Sequence, residues 1–349
     1  MFEIKGRKVG YENEPYIIAE LSANHGGLIE NAIAAIKIAK KAGANAVKIQ
    51  TYTPDTMTIE SYKPDFKINE GLWKGNFLYD IYKEAYTPFE WHKELFDCAE
   101  KENITIFSSP FDETAVDLLE SLNAPAYKIA SFELVDLQLI KRAAKCKKPL
   151  LISTGMASLE EIGEALEVAK TYGSGDVLLF HCISSYPAAV HECNLSNIVE
   201  LKNHFKVEVG LSDHTISDLA ATVAIGLGAS AIEKHFKPTH DASGPDASFS
   251  ITPQQLKSLV RTCNDAWLSI GKGGFKRSAT EEGSRKHRRS VYFVRDIQAG
   301  DKIKEADIRS IRPGFGLPPK YFNELIGKQV RQNVERGDPV SFKNVSIQE

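Results

Sequence analysis

From Tyr16 to His235 the chain alternates short, almost wholly apolar runs with segments of helical period, and this alternation restricts the possible folds more than any other feature. The runs are YIIAEL, AVKIQ, ITIFSS, AYKIA, PLLIST, VLLFHC, VEVGLS and SAIEKH. Strands apolar along their whole length are those covered on both faces, as in parallel sheets flanked by helices. Between them Ala32, Ile33, Ile36 and Ala39 make a helical stripe that stops at Gly43, and Val116, Leu119 and Leu122 make another. Thr87-Pro-Phe-Glu90, Ser158-Leu-Glu-Glu161 and Thr252-Pro-Gln-Gln255 read as capping boxes at helix starts. Eight such units predict an α/β fold, a closed (β/α)8 TIM barrel over residues 1–270. An open doubly wound sheet is the alternative, but the first strand-to-helix turn lacks the glycine fingerprint of a dinucleotide fold.

Two stretches depart from the repeat. Thr51 to Ala85 holds TYTPDTMT and GLWKG, and a loop of that length after a barrel strand reads as a lid or specificity loop, with decoration as the rival. Residues 271–289, GKGGFKRSATEEGSRKHRR, read as a linker whose basic end, Lys286 to Arg289, is a solvated hinge rather than a phosphate site. Residues 290–349 carry short β runs and turn signals such as Ala299-Gly300-Asp301 and Arg336-Gly337-Asp338, so they form a small, mainly β second domain.

Charge sets limits on partners. A net charge of −3 over 349 residues asks for neither nucleic acid nor an acidic membrane surface, so a small molecule is the expected partner. No apolar stretch approaches a membrane span, and MFEIKGRKVGYENEP lacks a secretory core, which together predict a cytoplasmic protein. The 5 cysteines show no ligand spacing and read as reduced thiols, Cys182 as buried packing.

In a barrel, side chains at the C-terminal strand ends share one mouth. Those ends supply Glu20, Asn24 and His25, then Lys48 and Gln50, Ser108 and Ser109, Lys128 and Ser131, and Ser153 and Thr154. The later ones supply Ser184 and Tyr186, then Ser212, Asp213 and His214, and Glu233 and His235. Two histidines, each beside a carboxylate, either cap their strands through hydrogen bonds or hold a divalent metal such as Mn²⁺, Fe²⁺, Co²⁺ or Zn²⁺. Two lysines among hydroxyls suit a phosphorylated, carboxylated ligand. Lys128 or Lys234 is alternatively a Schiff-base lysine. Glu20 is either a proton-transfer group tuned by burial or a structural partner of Lys48, and His25, before Gly26-Gly27, shapes a turn.

Taken together, IIAELSANHGG, AVKIQTYTPDTMT, FSSPFD, YKIAS, LLISTGMAS, SSYPA, VGLSDHT and IEKHF resemble, in that order, the sialic acid synthase family. The resemblance spans nearly the whole chain, and SIRPGFGLPP is similar to that family's antifreeze-like (SAF, β-clip) domain. It implies condensation of phosphoenolpyruvate with an open-chain N-acetylated amino sugar to give a nine-carbon 2-keto acid and phosphate. Within the family, QTYTPDTMT and GLW look most like the pseudaminic acid synthases, which use 2,4-diacetamido-2,4,6-trideoxy-altropyranose; neuraminate and legionaminate synthases are the alternatives. The resemblance further implies that His214 and His235 hold Mn²⁺, with Mg²⁺ or Co²⁺ as substitutes. Lys48, Ser109, Lys128, Ser131, Ser153, Ser184 and Ser212 would bind phosphoenolpyruvate, although neuraminate synthases often have asparagine where Ser184 stands. Glu20, Gln50, Lys128, Tyr186 and Asp246 would face the reacting carbons and the sugar. Arg312 would reach the barrel of a partner subunit in a domain-swapped homodimer. A Schiff-base pyruvate aldolase and a non-catalytic sugar-binding protein are the more distant readings.

Overall fold

In the computed structural model, which describes residues 1–242 and 244–346, all eight apolar runs are strands of one closed parallel barrel. They are β1 (Tyr16–Glu20), β2 (Ala46–Thr51), β3 (Thr105–Pro110), β4 (Tyr127–Ile129), β5 (Leu150–Ser153), β6 (Val177–Cys182), β7 (Glu208–Asp213) and β8 (Ala231–His235). Each pairs with its neighbour in sequence, and β8 closes on β1 with His235 opposite Glu20.

Strand side chains alternate between two surroundings. Ile17, Ala19, Val47, Ile49, Ile106, Ile129, Ile152, Leu179, Val209, Leu211 and Ile232 point outward and pack under the helices. Ile18, Ala46, Phe107, Ala126, Leu151, Leu178, Phe180 and Ala231 fill the interior together with Phe2, Ile4 and Val9. The last three come from an antiparallel hairpin, Phe2–Ile4 with Arg7–Val9, that the sequence reading did not foresee. Two strands of three residues are too short to show a period, yet their apolar side chains complete the interior cluster.

Two of the three capping boxes form, at Ser158 and Thr252. Thr87 forms none: the turn after it, Phe89–Trp91, begins at Pro88 without a side-chain cap. Its hydroxyl instead lies 3.4 Å from Nε2 of the buried His25.

The chain divides into two compact units, Met1–Gly271 and Lys272–Glu349. Within the second, Ser290–Phe293 pairs antiparallel with Ile308–Ile311 over a core that includes Val291, Phe293, Val330 and Val340. The tight turns need Gly300 and Gly337, whose φ angles of 91° and 101° are costly for other residues. The stretch read as a linker is more structured than its composition suggested. Ser278 and Glu281 cap the helix Ala279–Ser284, and the Lys286 carbonyl accepts from the Gly314 N–H at 2.9 Å, so its end belongs to the second unit. The final residues 347–349 of the predicted second domain lie outside the described residues. No described helix is long and apolar enough to cross a membrane.

Candidate active site

Counting two residues up each strand from the apolar interior reaches Glu20, Lys48, Ser109, Lys128, Ser153, Cys182, Ser212 and Glu233, one from every strand. The strand period that fills the barrel floor with Phe107, Leu151 and Phe180 therefore places a polar layer directly above it. One further step gives Ser22, Gln50, Ser184, His214 and His235. All but Glu20, Ser109 and Cys182 of these two levels line a cavity of about 750 Å³, together with Ser131, Glu133, Tyr186 and Asp246.

Glu233 is the centre of the lower layer, although the sequence reading gave it no role beyond its place at a strand end. It accepts two hydrogen bonds from the Lys128 ammonium, at 2.7 and 2.8 Å, and one from Ser212 Oγ at 3.0 Å. Lys48 Nζ stands 3.8 Å from it, 2.9 Å from Glu20 Oε2 and 3.2 Å from Ser109 Oγ. Lys48 is 4% exposed, Lys128 2%, Glu233 3% and Glu20 0%. Charges this dry are tolerated only with partners, and the two carboxylates are not partnered equally.

Burial works against the Glu233 carboxylate, but Lys128 and Lys48 outweigh it and hold its pKa down at about 2. Burial wins at Glu20, which is pushed up to about 7 even with Lys48 beside it. The contact geometry agrees, since Oε2 of Glu20 has no aligned donor despite the nearby ammonium, while Oε1 accepts from Gln50 Nε2 at 3.1 Å. Burial lowers the pKa of Lys128, whereas the carboxylates around Lys48 raise its own. Two ammonium groups thus face one firmly ionised carboxylate, leaving a positive excess for an anionic ligand.

The hydroxyls surround this excess. Ser131 Oγ lies 3.0 Å from the Cys182 thiol, and Ser184 Oγ is buried without a partner. A Cβ at Gly155 would stand 2.8 Å from Ser131 Oγ and 2.9 Å from Cys182 Sγ and would collide with Ser184 Oγ, so glycine there keeps this polar corner open.

Above it, the rings of His214 and His235 are 5.5 Å apart. His214 Nδ1 donates to the Ile183 carbonyl at 2.8 Å, which leaves Nε2 without a proton. His235 Nδ1 is buried without a hydrogen bond, its nearest acid being Asp246 Oδ2 at 3.7 Å. Burial drives both imidazoles to the neutral form, His235 furthest. Two neutral, adjacent imidazoles, one with an orphaned nitrogen, are donors of the kind a divalent ion accepts, although among the described residues no group of three or more His, Cys, Asp or Glu side chains is arranged to hold one. Tyr186 packs on His214 at 4.4 Å between centroids.

Six residues at or just after the strand ends make their contacts elsewhere. Asp213 and Lys234 occupy outward positions and pair with one another at 2.6 Å, with Lys234 also donating to the Thr215 carbonyl. Neither the carboxylate beside His214 nor Lys234 as a Schiff-base group therefore serves the cavity. Thr154 donates to the Phe180 carbonyl and Ser108 to the Ile49 carbonyl, leaving Ser153 and Ser109 as the inward members of those pairs. Asn24 ties Phe236 to Ser250, and His25 accepts from the Gly27 N–H in the turn it was expected to shape.

The sequence reading also missed Glu133, Tyr52 and Trp73. Glu133 is pushed up to about 7 by burial, and its Oε2 has no partner. Trp73, from the long insertion, donates to the Pro245 carbonyl and packs 5.7 Å from Tyr186. Arg312 is exposed in the second unit, after Ile311.

Comparison with known proteins gives matches along the chain. Residues 35–274 match the model of the NeuB family, and residues 288–346 that of the SAF domain. A pseudaminic acid synthase of Campylobacter jejuni is 43% identical, covering 94% of this chain and 95% of its own. One from Helicobacter pylori is 41% identical, covering 95% and 98%. Among solved structures, an N-acetylneuraminic acid synthetase of Leptospira borgpetersenii in complex with citrate superposes with a TM-score of 0.73. It is 29% identical and covers 81% of this chain and 94% of that one.

Proposed function

The chain belongs to the NeuB family and carries a SAF domain, and from that premise we propose that it works as a pseudaminic acid synthase. It would join phosphoenolpyruvate to the open-chain aldehyde of 2,4-diacetamido-2,4,6-trideoxy-altropyranose, yielding a nine-carbon 2-keto acid and inorganic phosphate. The observation that carries this reading is the layered cavity, with Lys48, Lys128 and a ring of serines below two neutral histidines. The similarity to two pseudaminic acid synthases supports the choice of sugar.

Lys48 and Lys128 would neutralise the phosphate and carboxylate of phosphoenolpyruvate, and Ser109, Ser131, Ser153, Ser184 and Ser212 would orient them. Held there, the enol carbon forms a bond to the aldehyde carbon, and positive charge develops at C2 of the former phosphoenolpyruvate. A water molecule adds to C2 and gives its proton to Glu20, whose raised pKa suits it to take up and release a proton near neutrality. The resulting tetrahedral centre expels phosphate with cleavage of the C–O bond, its hydroxyl proton leaving with the phosphate, while the proton taken up by Glu20 goes to the alkoxide formed from the aldehyde oxygen. Gln50 fixes Glu20 through its 3.1 Å hydrogen bond, and Tyr186 and Asp246 would bound the space for the sugar. His214 and His235 are the residues that would hold Mn²⁺, Mg²⁺ or Co²⁺, which as a Lewis acid polarises the aldehyde oxygen. Removing metal by chelation should abolish turnover and adding Mn²⁺ should restore it; full activity in demonstrably metal-free protein would take both histidines out of the chemistry.

We infer further a cytoplasmic homodimer in which Arg312, in the SAF domain, would reach the partner's barrel and contact an N-acetyl group. An Arg312→Ala chain should then raise the KM for the sugar while sparing that for phosphoenolpyruvate. Equal sugar KM values would remove Arg312 from the site.

Phosphate release assayed against a panel of N-acetylated sugars, with mass spectrometry of the products, tests the whole reading. Phosphate and a nine-carbon acid from the diacetamido trideoxy sugar support it. Preference for N-acetylmannosamine or for the legionaminate precursor would move the chain to a neighbouring activity. Borohydride trapping of pyruvate on Lys128 without phosphate release would indicate an aldolase, and sugar binding without turnover a binding protein.

A further inference from the structure

The barrel floor sets an aromatic ring against a charge that the functional reading uses. Phe180, on β6, belongs to the interior cluster, and its ring centroid lies 4.7 Å from Nζ of Lys128 on β4. At that range the electron-rich face of a ring attracts a cation, and more strongly where water is excluded. Both side chains are almost wholly buried. The neighbouring strand β7 leaves room for the ring: a Cβ on Gly210, which pairs with Phe180, would stand 2.6 Å from Phe180 Cε1, 2.9 Å from Cδ1 and 2.6 Å from the Ala231 carbonyl oxygen. Gly210 lies within a regular strand, so space rather than backbone conformation calls for glycine there.

Hydrogen bonds hold the Lys128 ammonium from one side only. Two of its three N–H donors go to the oxygens of Glu233, and the third meets no acceptor among the described residues. Lys48, by contrast, has Glu20, Ser109 and Glu233 around it. Burial and the nearby Lys48 both disfavour the charge on Lys128, so a ring face beside it is a favourable surrounding that Glu233 alone does not supply. Lys128 lines the cavity, whereas Phe180 is not among the described residues that line it. The ring therefore acts through the ammonium and does not itself touch a ligand.

We propose that Phe180 is a positioning residue for phosphoenolpyruvate, its ring face holding the Lys128 ammonium in place so that the free N–H meets the anion. The proposal rests on the functional reading above, which gives Lys128 that ligand. An aliphatic side chain would fill the floor as well but would offer no electron-rich face. Without that face the ammonium is tethered by Glu233 alone and settles toward the carboxylate. An incoming anion must then draw it back, and binds more weakly for it.

Calorimetric titration of phosphoenolpyruvate into the full chain, without sugar, tests this. Fluorination drains the ring face of electron density while nearly keeping its shape, so a series of mono-, di- and trifluorophenylalanine at position 180 should fold as the wild type does. The Kd for phosphoenolpyruvate should rise with each fluorine, by about 10-fold at the trifluoro ring, the size of a buried cation–π attraction. Phe180→Leu should show a loss of similar size, and the KM for the sugar should stay at its wild-type value in every member of the series. The same fluorination at Phe107, a ring of the same floor, should leave the Kd unchanged. A Kd that does not follow the number of fluorines at position 180 would overturn the proposal and leave the synthase reading intact, as would an equal response at Phe107. No binding of phosphoenolpyruvate by the wild-type chain would sink the synthase reading and this inference with it.

Discussion

A Glu233→Gln chain should keep its fold and lose about 100- to 1000-fold in kcat/KM, the usual cost of removing one preorganised charged group from an active site. Glu233 never touches the reacting carbons in the proposed mechanism. Its effect arises because it holds the Lys128 ammonium between two oxygens, at 2.7 and 2.8 Å, and orients Ser212 at 3.0 Å. Burial pulls the Lys128 pKa down, and Glu233 is the main group opposing that pull. Without the carboxylate, Lys128 is both less charged and free to turn. The loss should therefore not add to that of Lys128→Met: the double variant should be little worse than Lys128→Met alone, as expected for residues acting as a unit. Steady-state kinetics of the two single variants and the double variant, with circular dichroism to confirm folding, measure this. Strictly additive losses would show that the two residues act separately.

Replacing Glu20 by glutamine should remove the acid limb of the pH profile and lower the plateau by about 100- to 10,000-fold, the range for a lost general base. Burial raises the Glu20 pKa from 4.5 to about 7, so the carboxyl is largely protonated below neutrality and cannot accept the proton of the adding water. In the wild-type chain kcat/KM should rise with pH and level off above about 7. The stability linkage has the opposite sign. A carboxyl with a raised folded-state pKa favours the native state while it is neutral, and that contribution is complete below pH 4.5 and lost as pH rises through about 7. Glu20→Gln should abolish both trends, which a pH series of rates and of Tm values separates. An acid limb that survives in the variant would assign it to another group, with Glu133, also raised to about 7, the first to examine.

The barrel was legible because its signal is repeated. Eight apolar runs of strand length, separated by helical segments, admit few other folds, and every one became a strand in the expected place. The site was legible to the extent that strand ends share a mouth. Choosing within each end needed the face of the strand, and adjacent residues face opposite ways. Ser108 and Ser109, or Ser153 and Thr154, look equivalent as letters, yet one of each pair bonds to backbone behind the sheet. The same alternation joined Asp213 to Lys234 outside the barrel and left Glu233 inside, reversing the weight the sequence suggested. Counting by two from Phe107, Leu151 or Ala231 would have found the inward set without coordinates. Glu133 and Trp73 had no such signal: they lie on irregular segments whose path is set by tertiary contacts, such as the Trp73 hydrogen bond to the Pro245 carbonyl. The N-terminal hairpin escaped notice for a related reason, since its two strands of three residues are held by packing against the barrel interior rather than by their own periodicity.

The most direct test follows the oxygen that bridges carbon and phosphorus in phosphoenolpyruvate. With ¹⁸O at that position, turnover with the diacetamido trideoxy sugar should deliver the label to inorganic phosphate, while the new keto oxygen of the nine-carbon acid comes from water. Label retained in the organic product would mean that the P–O bond breaks instead, and would contradict the addition of water at C2 on which the roles of Glu20, Lys48 and Lys128 depend.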